Sequence, residues 1–206
     1  MYKKLLSIFI MCFAVIFVFV SCGKKIKNTE EIINYLKDLD SYSCNVNIRI
    51  ENDKQKINYT GKQLYNKKYG KRFELGKDRL FIYKQNKIFA SDLSSGSNYN
   101  IDEDFDSLFK FCFIDEYVSL IYTNERVDNS FKNIYNEKYQ VISLDIPGNN
   151  KNMCKAELYI NAVSSVPRFL MIYNSNGEKM VNVEYTDFKS NIELKKDIFD
   201  IGTVYK

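Results

Sequence analysis

Apolar and polar residues alternate along most of this sequence, which predicts a protein built mainly from β-strands. The clearest example is a run of apolar residues at every second position: Tyr42, Cys44, Val46, Ile48 and Ile50. This pattern indicates an amphipathic strand with one face in water. Similar patterns predict strands at residues 57–65, 72–75, 79–83, 87–91, 139–146, 156–161, 168–173 and 179–185. Turn signals at residues 85–86, 147–148 and 174–177 join neighbouring strands.

Two other segments have the residue spacing of helices. Residues 29–39 carry an apolar stripe behind a capping Asn28 or Thr29, with Glu30 and Glu31 in the first turn, where the helix dipole favours acidic groups. Residues 107–122 are apolar nearly all round, so this helix is buried or covers an apolar ligand. A seal over the core is the favoured interpretation.

Nine to eleven strands at hairpin spacing, with two substantial helices, indicate an α+β fold that is mainly β. We expect one strongly curved antiparallel sheet, an incomplete half-barrel, with the helices plugging its concave side. Six aromatic residues are predicted to point inward and to fill this half-barrel, leaving no roomy cavity: Tyr42, Tyr59, Phe73, Phe81, Tyr159 and Phe169.

The N-terminus has the pattern of a bacterial lipoprotein signal peptide at residues 1–21. Lys3 and Lys4 precede an apolar run at residues 5–20, which is short for a transmembrane helix. The run ends in a segment that resembles a lipobox, in which Ser21 precedes Cys22, the predicted lipidation site. An uncleaved anchor with an incidental cysteine is the alternative. In either case the rest of the chain lies outside the cytoplasmic membrane.

Residues 22–28 then form a short lipidated tether that carries Lys24, Lys25 and Lys27. These lysines suit a position against anionic headgroups, and a solvated spacer would have the same composition. Residues 29–206 form a single domain.

Composition removes most catalytic chemistry. The chain contains no His, so nucleophile–histidine pairs and imidazole-bound zinc are excluded. Cys44, Cys112 and Cys154 lack metal spacing, and we expect core positions rather than a disulfide framework. The acidic run at residues 102–106 lacks the Gly and Glu of an EF-hand loop and is interpreted as the start of a helix. We therefore predict no catalytic residues, no metal site and no cofactor.

The charge pattern gives no sign of nucleic-acid binding. The formal net charge is +4, basic and acidic residues are interspersed, and removal of Lys3 and Lys4 lowers the excess further. No isolated carboxylate pair marks a glycan-cleaving site. Arg49 and Arg168 stand out because arginine is scarce in this lysine-rich chain; either could lie at an interface, although surface solvation explains both.

The C-terminal half contains an ordered series of motifs. A predicted strand at residues 158–161 is followed by Val166-Pro167-Arg168, a further strand, Asn176-Gly177, and a segment from Val183 to Phe188 with Asn191 and Phe199 beyond it. This series resembles the C-terminal part of the LolA-like lipoprotein-carrier superfamily. This resemblance implies an open half-barrel of about eleven strands with helices in its mouth. It also implies a carrier or chaperone of lipids or lipoproteins as one candidate function.

Within that superfamily the whole chain resembles the GerS germination lipoproteins of clostridial spores, in its lipobox, its length, its Asn-, Lys- and Ile-rich composition and its Tyr-rich strands. The resemblance implies a non-catalytic spore lipoprotein on the outer side of a membrane. It implies as partner the zinc-dependent N-acetylmuramoyl-L-alanine amidase CwlD, which this protein would activate so that muramic-δ-lactam forms in cortex peptidoglycan and germination can follow. Exposed strand edges would also allow a homodimer.

Overall fold

A computed structural model describes residues 25–52, 54–200 and 202 of this 206-residue chain. The predicted signal peptide and Cys22 lie outside the described residues. The described residues form eleven strands: β1 (Ser41–Glu51), β2 (Lys56–Asn66), β3 (Gly70–Leu75), β4 (Arg79–Lys84), β5 (Lys87–Asp92), β6 (Ser97–Asp102), β7 (Val127–Ile134), β8 (Glu137–Asp145), β9 (Lys155–Asn161), β10 (Pro167–Tyr173) and β11 (Lys179–Ser190).

All eleven strands form one antiparallel sheet in the order β6-β5-β4-β3-β2-β1-β11-β10-β9-β8-β7. β6 and β7 are its two edges, so the sheet is open, and the predicted count of nine to eleven strands is confirmed. The two edge strands themselves were not predicted from the sequence. Their side chains are mostly exposed on both faces, and a strand without a buried face has no alternating pattern to detect.

Three α-helices pack on one face of the sheet, which we call the inner face: α1 (Thr29–Lys37), α2 (Ser107–Phe111) and α3 (Ile114–Thr123). α1 begins as predicted, with Asn28 and Glu31 forming a reciprocal capping box. The single helix predicted at residues 107–122 is wrong. The helix breaks at Phe113, which has extended backbone angles and buries its ring between Phe73 and Tyr83. Asp106 caps α2 by accepting a hydrogen bond from the Phe109 N–H.

Side chains of the helices and of the inner face make one continuous core. Tyr42 and Tyr185 are at most 1% exposed, and their hydroxyls have partners in the lid segment formed by α2 and α3. The Ile114 N–H donates to the Tyr42 hydroxyl at 3.0 Å, and the Tyr185 hydroxyl donates to the Cys112 carbonyl at 2.8 Å. The lid is therefore tied to the sheet by hydrogen bonds as well as by apolar contact.

The three described cysteines are free thiols. Cys44 and Cys112 are buried, as predicted, and burial raises the pKa of both. Cys154 differs from the prediction because it is only partly buried, in the loop before β9, where its Sγ lies 3.4 Å from the Asn150 carbonyl oxygen.

Candidate partner-binding surface

The outer face of the sheet, opposite the helices, carries an unexpected apolar cluster on β8, β9 and β10 and the end of β7. Tyr159 and Phe169 were predicted to point inward, and this is wrong. In the observed pairing Leu158 and Leu170 lie opposite each other in the core, so Tyr159 and Phe169 lie together on the outer face. They belong to what we call the outer cluster: Tyr139, Val141, Tyr159, Phe169, Met171 and Ile134.

The other four predicted inward aromatics are in the core or packed against it. Phe73 lies 5.5 Å from the Phe109 ring of α2, measured between ring centroids, and Tyr59 meets the same ring edge-on at 5.6 Å. The inner face is thus filled by side chains from the sheet and the lid.

A carboxylate and a lysine bind the hydroxyl of Tyr159 in the outer cluster, and the carboxylate also binds the neighbouring Tyr173. Glu157 accepts hydrogen bonds from the hydroxyls of Tyr159 at 2.8 Å and Tyr173 at 3.2 Å, and from Lys132 at 3.5 Å. Burial alone would raise the pKa of Glu157, but these hydrogen bonds and the lysine charge outweigh it and lower the pKa. Burial and the neighbouring Glu157 raise the pKa of both tyrosines, which keeps them as neutral donors.

Arg168 sits beside the outer cluster, at the start of β10. Its guanidinium donates to the Tyr185 carbonyl at 3.1 Å, pairs with Glu184 at 2.9 Å and lies 5.5 Å from the centre of the Phe169 ring. Its side chain is still 39% exposed, so it is available to a partner. Arg49 lies on the same face and is exposed, with its Nε 3.4 Å from Asn58.

An open groove of about 680 Å³ runs along this side of the cluster, and we call it the outer groove. Its lining combines aromatic rings, amides and both charges of the Arg168–Glu184 pair: Tyr135, Glu137, Tyr139, Asn161, Ser164, Val166, Arg168, Phe169 and Glu184. Tyrosine, phenylalanine and arginine beside apolar side chains are the composition of binding hot spots in protein interfaces.

A cluster of partly buried charged groups lies instead at the rim of the lid. Lys71 pairs with Asp115 at 3.2 Å and with Glu116, and Tyr42 lies 3.5 Å from Asp115. Burial raises the pKa of Asp115 to about 6, although Lys71 opposes the shift. Burial would lower the pKa of Lys71, but the two carboxylates raise it overall. These groups join α3 to β3, and we assign them a structural role.

Among the described residues, no group of three or more His, Cys, Asp or Glu side chains is placed to hold a metal ion. In the same part of the chain, no helix has the length and apolarity needed to cross a bilayer. The N-terminal tether can be followed from Lys25, and its Lys27 backbone N–H donates to the Ala162 carbonyl at 2.8 Å, in the β9–β10 turn.

Comparison with known proteins gives the family and the fold. The sporulation protein YdcC-like family matches residues 2–199. No curated protein matches the sequence. Among solved structures, an uncharacterized conserved protein from Thermus thermophilus has a TM-score of 0.54 at 9% identity, covering 82% of this chain and 91% of that one.

A domain from Vibrio parahaemolyticus, assigned as an outer membrane lipoprotein-sorting protein domain, has a TM-score of 0.51 at 10% identity, covering 85% of this chain and 97% of that one. The structure of the CwlD amidase from Clostridioides difficile in complex with the GerS lipoprotein matches with a TM-score of 0.48 at 22% identity, covering 83% of this chain and 98% of that one. The predicted fold class is confirmed: the fold is α+β and mainly β, with one open antiparallel sheet and helices on one of its faces.

Proposed function

Because this chain belongs to the YdcC-like family of sporulation proteins, we propose that it is a non-catalytic sporulation lipoprotein that binds and activates a cell-wall amidase of the CwlD type. The choice of an amidase as the partner rests on the sequence resemblance to the GerS lipoproteins. Membrane attachment through a lipid on Cys22, on the outer side of a spore membrane, is part of the same proposal.

The filled inner face is the observation that favours a partner-binding function over a lipid-carrier function. A carrier of acyl chains needs an apolar cavity that can stay open, whereas here the space between lid and sheet holds Phe73, Phe113, Tyr117 and Tyr185, each at most 1% exposed. The Tyr117 hydroxyl also donates to the Ile142 and Ala156 carbonyls at 2.7 and 3.2 Å. Close packing of this kind leaves the outer face and the strand edges for recognition.

We assign the part of the outer groove around Arg168 to the amidase, and we leave Tyr135, at the hairpin-tip end of the groove, outside this contact. Arg168 offers a side chain that is 39% exposed next to aromatic rings, and Glu157 already holds the Tyr159 ring of the outer cluster. A preordered surface loses little side-chain entropy when it binds. An activator without chemistry of its own acts by binding the active conformation of its enzyme more tightly than the inactive one. For a zinc amidase, that conformation is the one that retains zinc.

The test is co-expression of residues 22–206, with Cys22→Ser, and the amidase from the same genome. Size-exclusion chromatography with mass determination gives the stoichiometry, including any homodimer formed through the β6 or β7 edges. Bound zinc and stem-peptide cleavage are then measured with and without this protein. We expect a stable complex with higher zinc occupancy or higher activity.

Arg168→Glu tests the assigned surface, with Arg79→Glu as the matched control, because Arg79 is exposed at the start of β4, far across the sheet. Loss of a hot-spot arginine should weaken the complex at least about tenfold, while the control should leave it unchanged. Equal binding by both variants would remove the outer groove from the proposal. Absence of any complex, with lipid bound to the purified protein, would replace the activator function by the carrier function.

A further inference from the structure

Neither folding nor solubility explains the presence of a tyrosine at position 135, at the tip of the β7–β8 hairpin. Its side chain is 94% exposed, the highest value among the exposed large hydrophobic residues of the described chain. It forms a two-residue turn with Asn136, and both have positive φ, +48° and +64°. Asn suits such a turn, but a bulky aromatic residue rarely adopts this conformation. The hairpin would be better served by a small polar residue.

The N-terminal tether is fixed beside the same hairpin. The Lys27 backbone N–H donates a hydrogen bond to the Ala162 carbonyl at 2.8 Å, and its Nζ donates one to the Ser165 hydroxyl at 2.9 Å. The N–H of Ala162 in turn donates to the Lys138 carbonyl at 2.9 Å, three residues from Tyr135. Cys22 precedes Lys27 by five residues, so the Cα of Cys22 could lie no more than about 17 Å from that of Lys27.

Exposed apolar and basic side chains accompany Tyr135 at this end of the sheet. In the tether, Ile26 is 47% exposed. The side chain of Lys25 is 85% exposed, and its Nζ lies 3.9 Å from a carboxylate oxygen of Glu31. Lys138, the basic residue of β8, is partly exposed with its Nζ 4.7 Å from the centre of the Phe131 ring, and the acidic Glu137 precedes it. Tyrosine is enriched at the headgroup level of membranes, and lysines near a surface are attracted to anionic lipids.

We propose that the β7–β8 tip is a membrane-contact site, at which Tyr135 and Ile26 enter the headgroup region of an anionic bilayer and orient the domain on its anchor. The inference rests on the membrane attachment contained in the proposed function. A lipid anchor by itself fixes no orientation, and a second contact of this kind makes the attachment firmer and gives it a direction.

The chain contains no Trp, so one introduced Trp reports on its own surroundings. Tyr135→Trp is compared with Tyr99→Trp, because Tyr99 is 50% exposed on β6, the opposite edge of the sheet. Residues 22–206 contain every described strand and α-helix. This chain, with Cys22→Ser and an N-terminal hexahistidine, is bound to vesicles of phosphatidylglycerol and phosphatidylcholine that carry a nickel-chelating lipid.

We expect the emission of Tyr135→Trp to shift to shorter wavelength on the vesicles and to be quenched by brominated acyl chains, with Tyr99→Trp unchanged. The shift should shrink when phosphatidylglycerol is left out. No shift at position 135, or equal shifts at both positions, would overturn the proposal. Circular dichroism of both variants shows that they are folded. Because the tether is artificial, this result is independent of Cys22 lipidation, which the intact mass of the protein from cell membranes tests separately.

Discussion

Replacing Phe113 with Ala should destabilise the protein strongly if the lid is part of the core. Phe113 is fully buried at the break between α2 and α3, and its ring centroid lies 5.5 Å from that of Tyr83 and 6.3 Å from that of Phe73. Truncation of a buried Phe to Ala costs about 3–5 kcal/mol, through lost transfer energy and the cavity left behind. For a domain of this size, that corresponds to a fall of about 6–20 °C in Tm.

Phe131→Ala is the matched control. Phe131 is 42% exposed on the edge strand β7, where Lys138 Nζ lies 4.7 Å from the centre of its ring. Because the ring is partly exposed and has this one cation–π contact, its removal should change the free energy of unfolding by no more than about 1 kcal/mol. Urea unfolding followed by circular dichroism gives both values, and thermal unfolding gives the shift in Tm.

The comparison also tests the argument for a binding role. In a carrier whose lid moves away to admit an acyl chain, Phe113 would contribute little to the stability of the sheet. A cost below about 1 kcal/mol for Phe113→Ala, close to that of Phe131→Ala, would refute the conclusion that the inner face is a closed core. The reason for preferring a partner over a lipid ligand would then be lost.

Two further substitutions test the lid rim and the sheet. From pH 4 to pH 7, the free energy of unfolding of Asp115→Asn should rise relative to that of the wild type by up to about 3 kcal/mol. Urea unfolding at both pH values measures this change. Burial raises the pKa of Asp115 to about 6 in the folded protein, whereas it is about 3.9 in the unfolded chain. The wild type therefore loses stability as the pH rises through this range and the carboxyl ionises. A gain in stability of the wild type relative to the variant would contradict this. Gly61→Ala should cost about 1–3 kcal/mol by the same assay, because its Cβ would lie 2.6 Å from the Glu74 carbonyl oxygen; an unchanged unfolding midpoint would show that β2 and β3 can move apart.

The fold could be predicted where one face of an element is buried. β1 alternates cleanly because its inner residues enter the core while Asn45, Asn47 and Arg49 remain in water. The α1 start was predictable because capping is local chemistry between Asn28 and Glu31. The break at Phe113 was not predictable in this way, because the ring is drawn out of the helix by contacts with β3 and β4, which are distant in sequence.

The outer cluster shows why the candidate surface was missed. Alternate residues of a strand share one face, so in β9 Tyr159 lies on the same face as the polar Glu157 and Asn161. This pattern could have placed Tyr159 on the outer face. β10 offers no such signal, because both alternating sets are mainly apolar: Phe169, Met171 and Tyr173 on one side, Leu170 and Ile172 on the other. The facing of β10 is set by its register with β9 and β11.

The two proposed surfaces meet at the β9–β10 turn. Asn161, Ser164 and Arg168 line the outer groove, whereas Ala162 and Ser165, within the same few residues, hold the tether. A partner in the groove would therefore lie next to the point where the chain leaves for the membrane. Its encounters with other membrane-bound components would become nearly two-dimensional, which raises effective concentration without any additional contact. The proposed anchor would thus determine where the partner acts as well as where this protein resides.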